Sequence, residues 1–122
     1  MTADDTAATV RAGDRFLNPR GVDRRISELD ASSVPPVRRC LIDVARRGDT
    51  ITYGDLRKAT GLPHPPNGMG RVLDVVAEDC RRRDEPSLDA LVVKASSGEV
   101  GEKFSGDAAR IRNTLQAYWS TR

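Results

Sequence analysis

The sequence predicts an α+β fold: a small winged helix-turn-helix domain with a flexible N-terminal arm. Apolar residues recur at helical spacing on both sides of a proline-rich loop, as two consecutive helices require. An apolar, β-branched run followed by Ser-Ser-Gly comes next and indicates a β-ribbon, the wing. A chain of 122 residues can bury one small core, and its mean hydropathy of -0.52 indicates a solvated tail as well.

The arm is expected to comprise residues 1–20, and the winged-helix domain residues 21–122. Polar and small residues dominate the arm, whose large apolar side chains are Val10, Phe16 and Leu17. Such a composition buries too little apolar surface to offset the entropy of ordering the chain. We therefore expect the arm to be mobile when no partner is bound.

The first core helix is predicted for residues 36–47, after a short helix within residues 21–30. Its apolar residues recur at i, i+3, i+4, i+7 and i+8: Val37, Cys40, Leu41, Val44 and Ala45. Ser33 is the expected N-cap, and Gly48 is expected to end the helix. The arginines at positions 38, 39, 46 and 47 are expected to lie mostly away from this apolar stripe.

The helix-turn-helix follows the first core helix. Thr52 and Asp55 fit a capping box, which begins a helix that ends at Gly61. After the proline loop, a second helix over residues 68–83 repeats the apolar stripe: Met69, Val72, Leu73, Val76, Ala77 and Cys80. The two helices are therefore predicted to be joined by a stiff loop.

The predicted wing consists of a strand over residues 88–95, a turn at residues 96–98 and a returning strand over residues 99–104. β-Branched residues favour the first strand, and Ser-Ser-Gly provides the turn. A last helix is predicted after an Asp107 cap, with its apolar residues on one face: Ile111, Leu115, Tyr118 and Trp119.

A short segment and one arginine carry a family resemblance. The segment is Thr-Tyr-Gly-Asp-Leu at residues 52–56, and the arginine is Arg71 near the start of the second helix. From residue 51 to residue 106 the chain resembles the DNA-binding domain of the O6-alkylguanine-DNA alkyltransferases and the alkyltransferase-like proteins. The resemblance implies that Tyr53 lies near the target nucleotide and helps to rotate it, and that Arg71 fills the space left by a flipped base. The alternatives are that Tyr53 packs against the last helix and that Arg71 is an ordinary surface arginine.

The reactive Pro-Cys-His-Arg motif of that family is absent. Residues 86–91 read Pro-Ser-Leu-Asp-Ala-Leu, and alignment on the following Val-Val places Asp89 or a neighbour at the cysteine position. Alkyl transfer by that mechanism needs a thiolate and a group that polarises it. Because this region has neither, the resemblance implies a scaffold that reads DNA without the repair chemistry, and the protein is not expected to be an enzyme.

The predicted function is therefore non-catalytic binding of duplex DNA, either to sense flipped or modified bases or to act in regulation. The expected contacts are the aromatic and basic side chains of this region: Tyr53, Arg57, Lys58, Arg71, Arg81, Arg82 and Arg83. Arg11, Arg15 and Arg20 of the arm are expected to be auxiliary phosphate contacts. For the arginines at positions 81–83, the alternative is complementation of the helix dipole and solvation.

A protein-interaction module that kept the winged-helix fold and lost DNA binding is the alternative function. Asp74 and Glu78 favour it, because both are expected on the outer face of the second helix, where carboxylates repel phosphates. The net charge of +2 is also small for a nucleic-acid-binding protein. A steep fall of affinity with salt would distinguish DNA binding from this alternative.

Nothing in the sequence indicates a cofactor, a metal ion or a small-molecule substrate. Cys40 and Cys80 lie on apolar stripes and are expected to be reduced, buried and structural. His64 is expected to be a loop residue rather than a metal ligand, because no second ligand stands at metal-binding spacing. No apolar run approaches a membrane span and the N-terminus does not resemble a signal peptide, so a cytoplasmic protein with no membrane partner is expected.

Overall fold

A computed structural model describes residues 9–18, 20–64, 68–94 and 108–121 of the chain. In chain order the elements are β1 (Arg15–Leu17), β2 (Asp23–Arg25), α1 (Glu28–Arg46), β3 (Ile51–Thr52), α2 (Tyr53–Thr60), α3 (Met69–Arg82), a 3-10 turn (Leu88–Leu91), β4 (Val92–Val93) and α4 (Ala108–Ser120). β1 and β2 form an antiparallel hairpin, whereas β3 and β4 pair in parallel. This mixture of helices and small sheets agrees with the predicted α+β class.

The hairpin of β1 and β2 packs the N-terminal part of the chain onto the core. Val10, Phe16 and Ile26 are buried. Gly13 N donates to Ile26 O at 2.7 Å, and Ile26 N donates to Asp14 O at 2.8 Å. The packed part of the chain thus begins before the boundary expected at residue 20, because these side chains reach the core. Residues 1–8 lie outside the described part, so the mobility of that stretch stays a prediction.

The segment before α1 differs from the sequence prediction. Residues 23–25 form a strand rather than a short helix, because they pair with β1. α1 then begins at Glu28, where the Ser27 N-cap accepts a hydrogen bond from Asp30 N at 3.1 Å through its Oγ atom. The predicted start at residue 36, with the prolines in the first turn, was therefore wrong.

α1 continues through Pro35 and Pro36. Ser33, the predicted N-cap, lies inside the helix, where its Oγ donates to Leu29 O at 2.7 Å. A proline in a helix interior removes an amide donor and costs roughly 3 kcal/mol. The helix persists here because Val34 and other side chains on the same face are fully buried against the core.

α2 and α3 follow the predicted order. Thr52 Oγ1 accepts from Asp55 N at 3.1 Å, which confirms the predicted N-cap, and Gly61 ends α2 with a φ of 67°. α3 buries most of its predicted stripe and Val75 in addition, while Ala77 is half-buried. Local spacing and capping residues were therefore sufficient to predict both helices.

The region predicted as the first strand of the wing is mostly helical. Leu88–Leu91 form a 3-10 turn in which every residue is buried, packed against α1, α3 and α4. A strand would direct alternate side chains to opposite faces, so it could not bury all of them in one layer. Val92–Val93 do form a strand, but their partner is β3. The predicted turn, the returning strand and the Asp107 cap lie outside the described residues.

The core lies between α1, α3, α4 and the 3-10 turn. α4 confirms its predicted stripe, since Leu115 and Trp119 are buried and Ile111 and Tyr118 are partly buried against the core. The Tyr118 and Trp119 rings meet edge to face with centroids 4.9 Å apart. Burial of each such large apolar side chain contributes roughly 1.5–3 kcal/mol.

The two cysteines differ in exposure. Cys80 is buried, as predicted, and burial raises the pKa of its thiol to about 12. Cys40 is only half-buried, so the expectation of a fully buried thiol was wrong there. Among the described residues, no helix is both long enough and apolar enough to cross a bilayer.

Candidate nucleic-acid interface

Three arginines at the C-terminal end of α3 have their guanidinium groups bound to carboxylates of the same helix. Arg81 Nη2 lies 2.6 Å from Glu78 Oε2, and Arg82 Nε lies 2.8 Å from the same oxygen. Arg83 Nε donates to Asp79 Oδ2 at 3.0 Å. These pairs have i,i+3 or i,i+4 spacing, so the helix itself brings the partners together. A phosphate contact by these arginines would have to compete with carboxylates already in place.

Glu78 lies inside the protein, with 4% of its surface exposed, rather than on the predicted outer face of α3. Its hydrogen bond from Arg81 holds the pKa of the carboxyl below its usual range, although burial opposes this shift. Arg82 also donates to Asp14 Oδ2 at 2.9 Å and to Thr9 O at 3.1 Å. Arg82 therefore connects the residues before β1 to the end of α3.

Arg38 of α1 extends this ion-pair network into the interior, because it lies near the same Asp79 oxygen that binds Arg83. Only 1% of its surface is exposed, and its guanidinium donates to both Glu85 oxygens, at 2.6 and 3.1 Å. Asp79 Oδ2 lies 3.9 Å away, and the Trp119 ring centroid lies 5.3 Å from the guanidinium carbon. The expected exposure of this arginine was wrong, while the neighbouring Arg39 is exposed as predicted.

Arg71, at the N-terminal end of α3, has a different environment. Its side chain is exposed, and the described residues provide no ion-pair partner for it. The N-cap Gly68 gives no side-chain hydrogen bond, and the first turn of α3 contains no acidic residue. The positive end of the helix dipole is therefore not offset by a carboxylate of that turn. Arg71 and Arg81 lie about 15 Å apart along the helix axis, at 1.5 Å per residue.

A small cleft joins this end of α3 to the hairpin. Its basic lining residues are Arg24, Arg25 and Arg71, all exposed, and Phe16 and Val75 form apolar wall. As far as the structure describes the chain, neither of the two hairpin arginines has a carboxylate partner. Positive charge from two separate elements thus meets at one place on the surface.

Two carboxylates also line this cleft, and both have partners. Asp30 Oδ1 lies 3.1 Å from His64 Nε2. Asp74 Oδ2 lies 3.5 Å from the Asn18 side-chain amide and 3.9 Å from Arg20 Nη2. Asp74 is half-buried rather than fully exposed, contrary to its predicted position on an outer face. The Arg20 guanidinium therefore reduces the repulsion that the Asp74 carboxylate exerts on an incoming anion.

The predicted contacts on α2 have mixed exposure. Tyr53 is half-buried and packs against the core, Arg57 is half-buried, and Lys58 is exposed. Tyr53 and Arg57 are thus partly used in packing, whereas Lys58 is accessible. Of the auxiliary arginines, Arg15 Nη1 lies 3.0 Å from an Asp23 carboxylate oxygen on the neighbouring strand.

A larger groove of about 530 Å³ lies on the other side of Phe16 and Asp74. Asp89, Ser87 and the exposed Leu17 are among its lining residues. The Ser87 hydroxyl donates to Asp89, yet burial dominates and raises the pKa of this carboxyl to about 6. Asp89 therefore keeps its proton to a higher pH than an ordinary aspartate, whereas the arginine partners of Glu78 lower the pKa of that carboxyl.

The sequence predicts that His64 is a loop residue rather than a metal ligand. His64 is in the loop after α2, as predicted, but it is buried and paired with Asp30. Among the described residues, no group of three or more His, Cys, Asp or Glu side chains could hold a metal ion. The loop histidine thus connects the end of the α2 region to the first turn of α1.

Arg24 and Arg25 are not among the contacts that the sequence predicts. Both fall in the segment that was assigned to a helix, and their strand is short and lacks apolar alternation. The adjacent arginine pair itself was the available signal, but only the pairing of β2 with β1 shows where it lies. The chain matches no protein-family model, no curated protein and no solved structure.

Proposed function

We propose that this protein binds duplex DNA without catalysing a reaction on it, and that the N-terminal end of α3 is the contacting surface. The observation that carries the proposal is Arg71: an exposed arginine with no described carboxylate partner, on the first turn of a helix whose N-cap, Gly68, gives no side-chain hydrogen bond. Backbone amides and an arginine at a helix N-terminus form an arrangement that favours phosphate oxygens.

The resemblance to the alkyltransferase DNA-binding domain supports the same surface. In that family the segment similar to residues 52–56 begins the helix-turn-helix, and the arginine that corresponds to Arg71 addresses the bases. Tyr53 and Lys58 belong to the neighbouring α2, so they are the further contacts of this proposal. Arg81, Arg82 and Arg83 are excluded from the proposed contacts because Glu78 and Asp79 already bind their guanidinium groups. Arg15 is excluded for the same reason, because its guanidinium already lies 3.0 Å from an Asp23 carboxylate oxygen.

The proposed absence of alkyl transfer has a physical basis in the two thiols. Cys80 is buried with a pKa of about 12, so it holds almost no thiolate at neutral pH. Burial also raises the pKa of Cys40, which lies on α1 and far along the chain from Asp89. Neither thiol therefore has the low pKa and access that a nucleophile needs.

The test is a salt titration of the wild-type protein with a short fluorescent duplex, monitored by anisotropy. The expected result is binding at about 50 mM salt and a logarithm of the affinity that falls linearly with the logarithm of salt concentration, by roughly 0.9 per phosphate contact. Absence of binding at low salt, or an affinity independent of salt, contradicts the proposal.

A protein-interaction module is the second candidate, and the large groove favours it. Leu17 is 68% exposed at the rim of that groove, where an apolar side chain gains little from contact with DNA phosphates. The earlier ground for this alternative, an acidic outer face of α3, no longer supports it because Glu78 is buried. The salt titration separates the two candidates, since binding of duplex DNA belongs to the first alone.

A further inference from the structure

The β1–β2 hairpin lies beside Arg71 and contributes basic side chains to the same cleft. We propose that this hairpin is a second phosphate-binding element, with Arg24 as its principal contact to the DNA backbone. The inference rests on the proposed DNA binding and adds a surface that the helix-turn-helix alone does not provide.

The strand register places Arg24 on the face of the hairpin that is directed toward α3. Arg24 lies directly opposite Phe16, and residues directly opposite one another on antiparallel strands direct their side chains to the same face. Phe16 is buried and lines the cleft shared with Arg71, so Arg24 is on the side of the hairpin that faces α3. Arg25 is opposite Arg15 and belongs to the other face, although part of it also borders the cleft.

Contacts to α3 hold the hairpin in a defined position. Thr9 N and Thr9 Oγ1 each donate to Asp79 Oδ1 at 2.7 Å. Arg82 Nη1 donates to Asp14 Oδ2 at 2.9 Å, immediately before β1. Because these bonds exist before any ligand arrives, binding does not have to order the hairpin, and this lowers the entropic cost of the contact.

The charge balance of the cleft fits a polyanion. Its carboxylates, Asp30 and Asp74, have partners in His64 and Arg20, whereas Arg24 has no carboxylate partner in the described part of the chain. Arg24 and Arg71 approach the cleft from separate elements, a strand and a helix. Two fixed positive groups on separate elements suit neighbouring phosphates of one backbone, which carry no sequence information.

The experiment compares Arg24→Ala with Arg15→Ala on the same fluorescent duplex over a range of salt concentrations. Both variants remove one positive charge from the hairpin, but Arg15 is paired with Asp23 on the other face. For Arg24→Ala we expect roughly tenfold weaker binding at about 50 mM salt and a salt slope smaller by about 1, the loss of one phosphate contact. Arg15→Ala should bind like the wild type, and Arg24→Lys should keep most of the salt slope.

Arg71→Ala makes failure of this inference distinguishable from failure of the proposed function. If the wild type binds, Arg71→Ala weakens binding and Arg24→Ala does not, the hairpin is not a contact although DNA binding stands. Equal losses for Arg24→Ala and Arg15→Ala also overturn the inference, because they indicate net charge rather than a defined contact. Arg24 is exposed, and matching thermal melts of the variants and the wild type exclude a folding defect.

Discussion

At the C-terminal end of α3, Arg81, Arg82 and Arg83 each have a carboxylate oxygen within 3.0 Å. At the N-terminal end, Arg71 has no such partner among the described residues. Residue type alone therefore does not identify a binding surface, since arginines of one helix have different roles. The carboxylates three or four positions earlier in the chain make the difference, and they follow from the sequence once the helix is known.

Arg38 is the buried arginine of this comparison, and its replacement has the largest expected effect on the free energy of unfolding. Arg38→Ala removes the partner of the half-buried Glu85 and a neighbour of the fully buried Asp79, and loss of one member of a largely buried ion pair costs about 3–5 kcal/mol. The adjacent and exposed Arg39→Ala is the matched control, with an expected change within about 0.5 kcal/mol. Urea unfolding of both variants measures the difference, and similar stabilities would show that the Arg38 network does not stabilise the fold.

Asp89 is a buried carboxyl with no arginine partner in the described part of the chain, in contrast to Glu78 and Asp79. Its pKa is raised from 3.8 to about 6, so the protonated form favours folding. This stabilisation is complete below the unfolded pKa and is lost as the pH rises through the folded pKa. Above pH 6 the charged form costs about 3 kcal/mol, from 1.36 kcal/mol per pKa unit.

The corresponding variant is Asp89→Asn, which removes the charge with little change in shape. Its melting temperature should exceed that of the wild type at pH 7, and the gap should close as the pH falls toward 4. The difference between the two proteins isolates Asp89 from other titrating groups such as Glu78. A gap that does not change with pH would show that Asp89 is ionised in the folded protein throughout this range.

Cys80→Ser has a smaller expected effect and tests the core rather than a charge. A buried hydroxyl without a good partner costs roughly 1–3 kcal/mol, and Cys80 is 1% exposed. In the native wild type, a maleimide should label the half-buried Cys40 before Cys80. Equal labelling rates would indicate that α3 opens readily, in conflict with its position in the core.

The features that the sequence predicted correctly are mostly local. α2, α3 and α4 depend on apolar spacing and, for α2, on a cap at Thr52 and a stop at Gly61, all readable within a few residues. The sequence did not predict the early start of α1, because prolines such as Pro35 and Pro36 usually lie in the first turn of a helix. Tertiary burial of the surrounding side chains outweighed that local preference.

The features that the sequence did not predict depend on distant partners. Arg38 is buried because Glu85 accepts its hydrogen bonds from 47 positions further along the chain. Arg24 reaches the cleft because β2 pairs with β1, and that strand register is not visible in a three-residue polar segment. Of the candidate site, Arg71 was therefore predicted, while its neighbours on the hairpin required the structure.

Duplex binding by Arg71→Ala and Arg81→Ala, measured side by side across salt concentrations, tests most directly whether the N-terminal end of α3 contacts DNA. Both variants remove one arginine charge from exposed positions of α3, so their net charges match. We expect weaker binding and a salt slope smaller by about 1 for Arg71→Ala, and wild-type binding for Arg81→Ala. Equal weakening by both variants, or wild-type binding by Arg71→Ala, would contradict the claim that the N-terminal end of α3 contacts DNA.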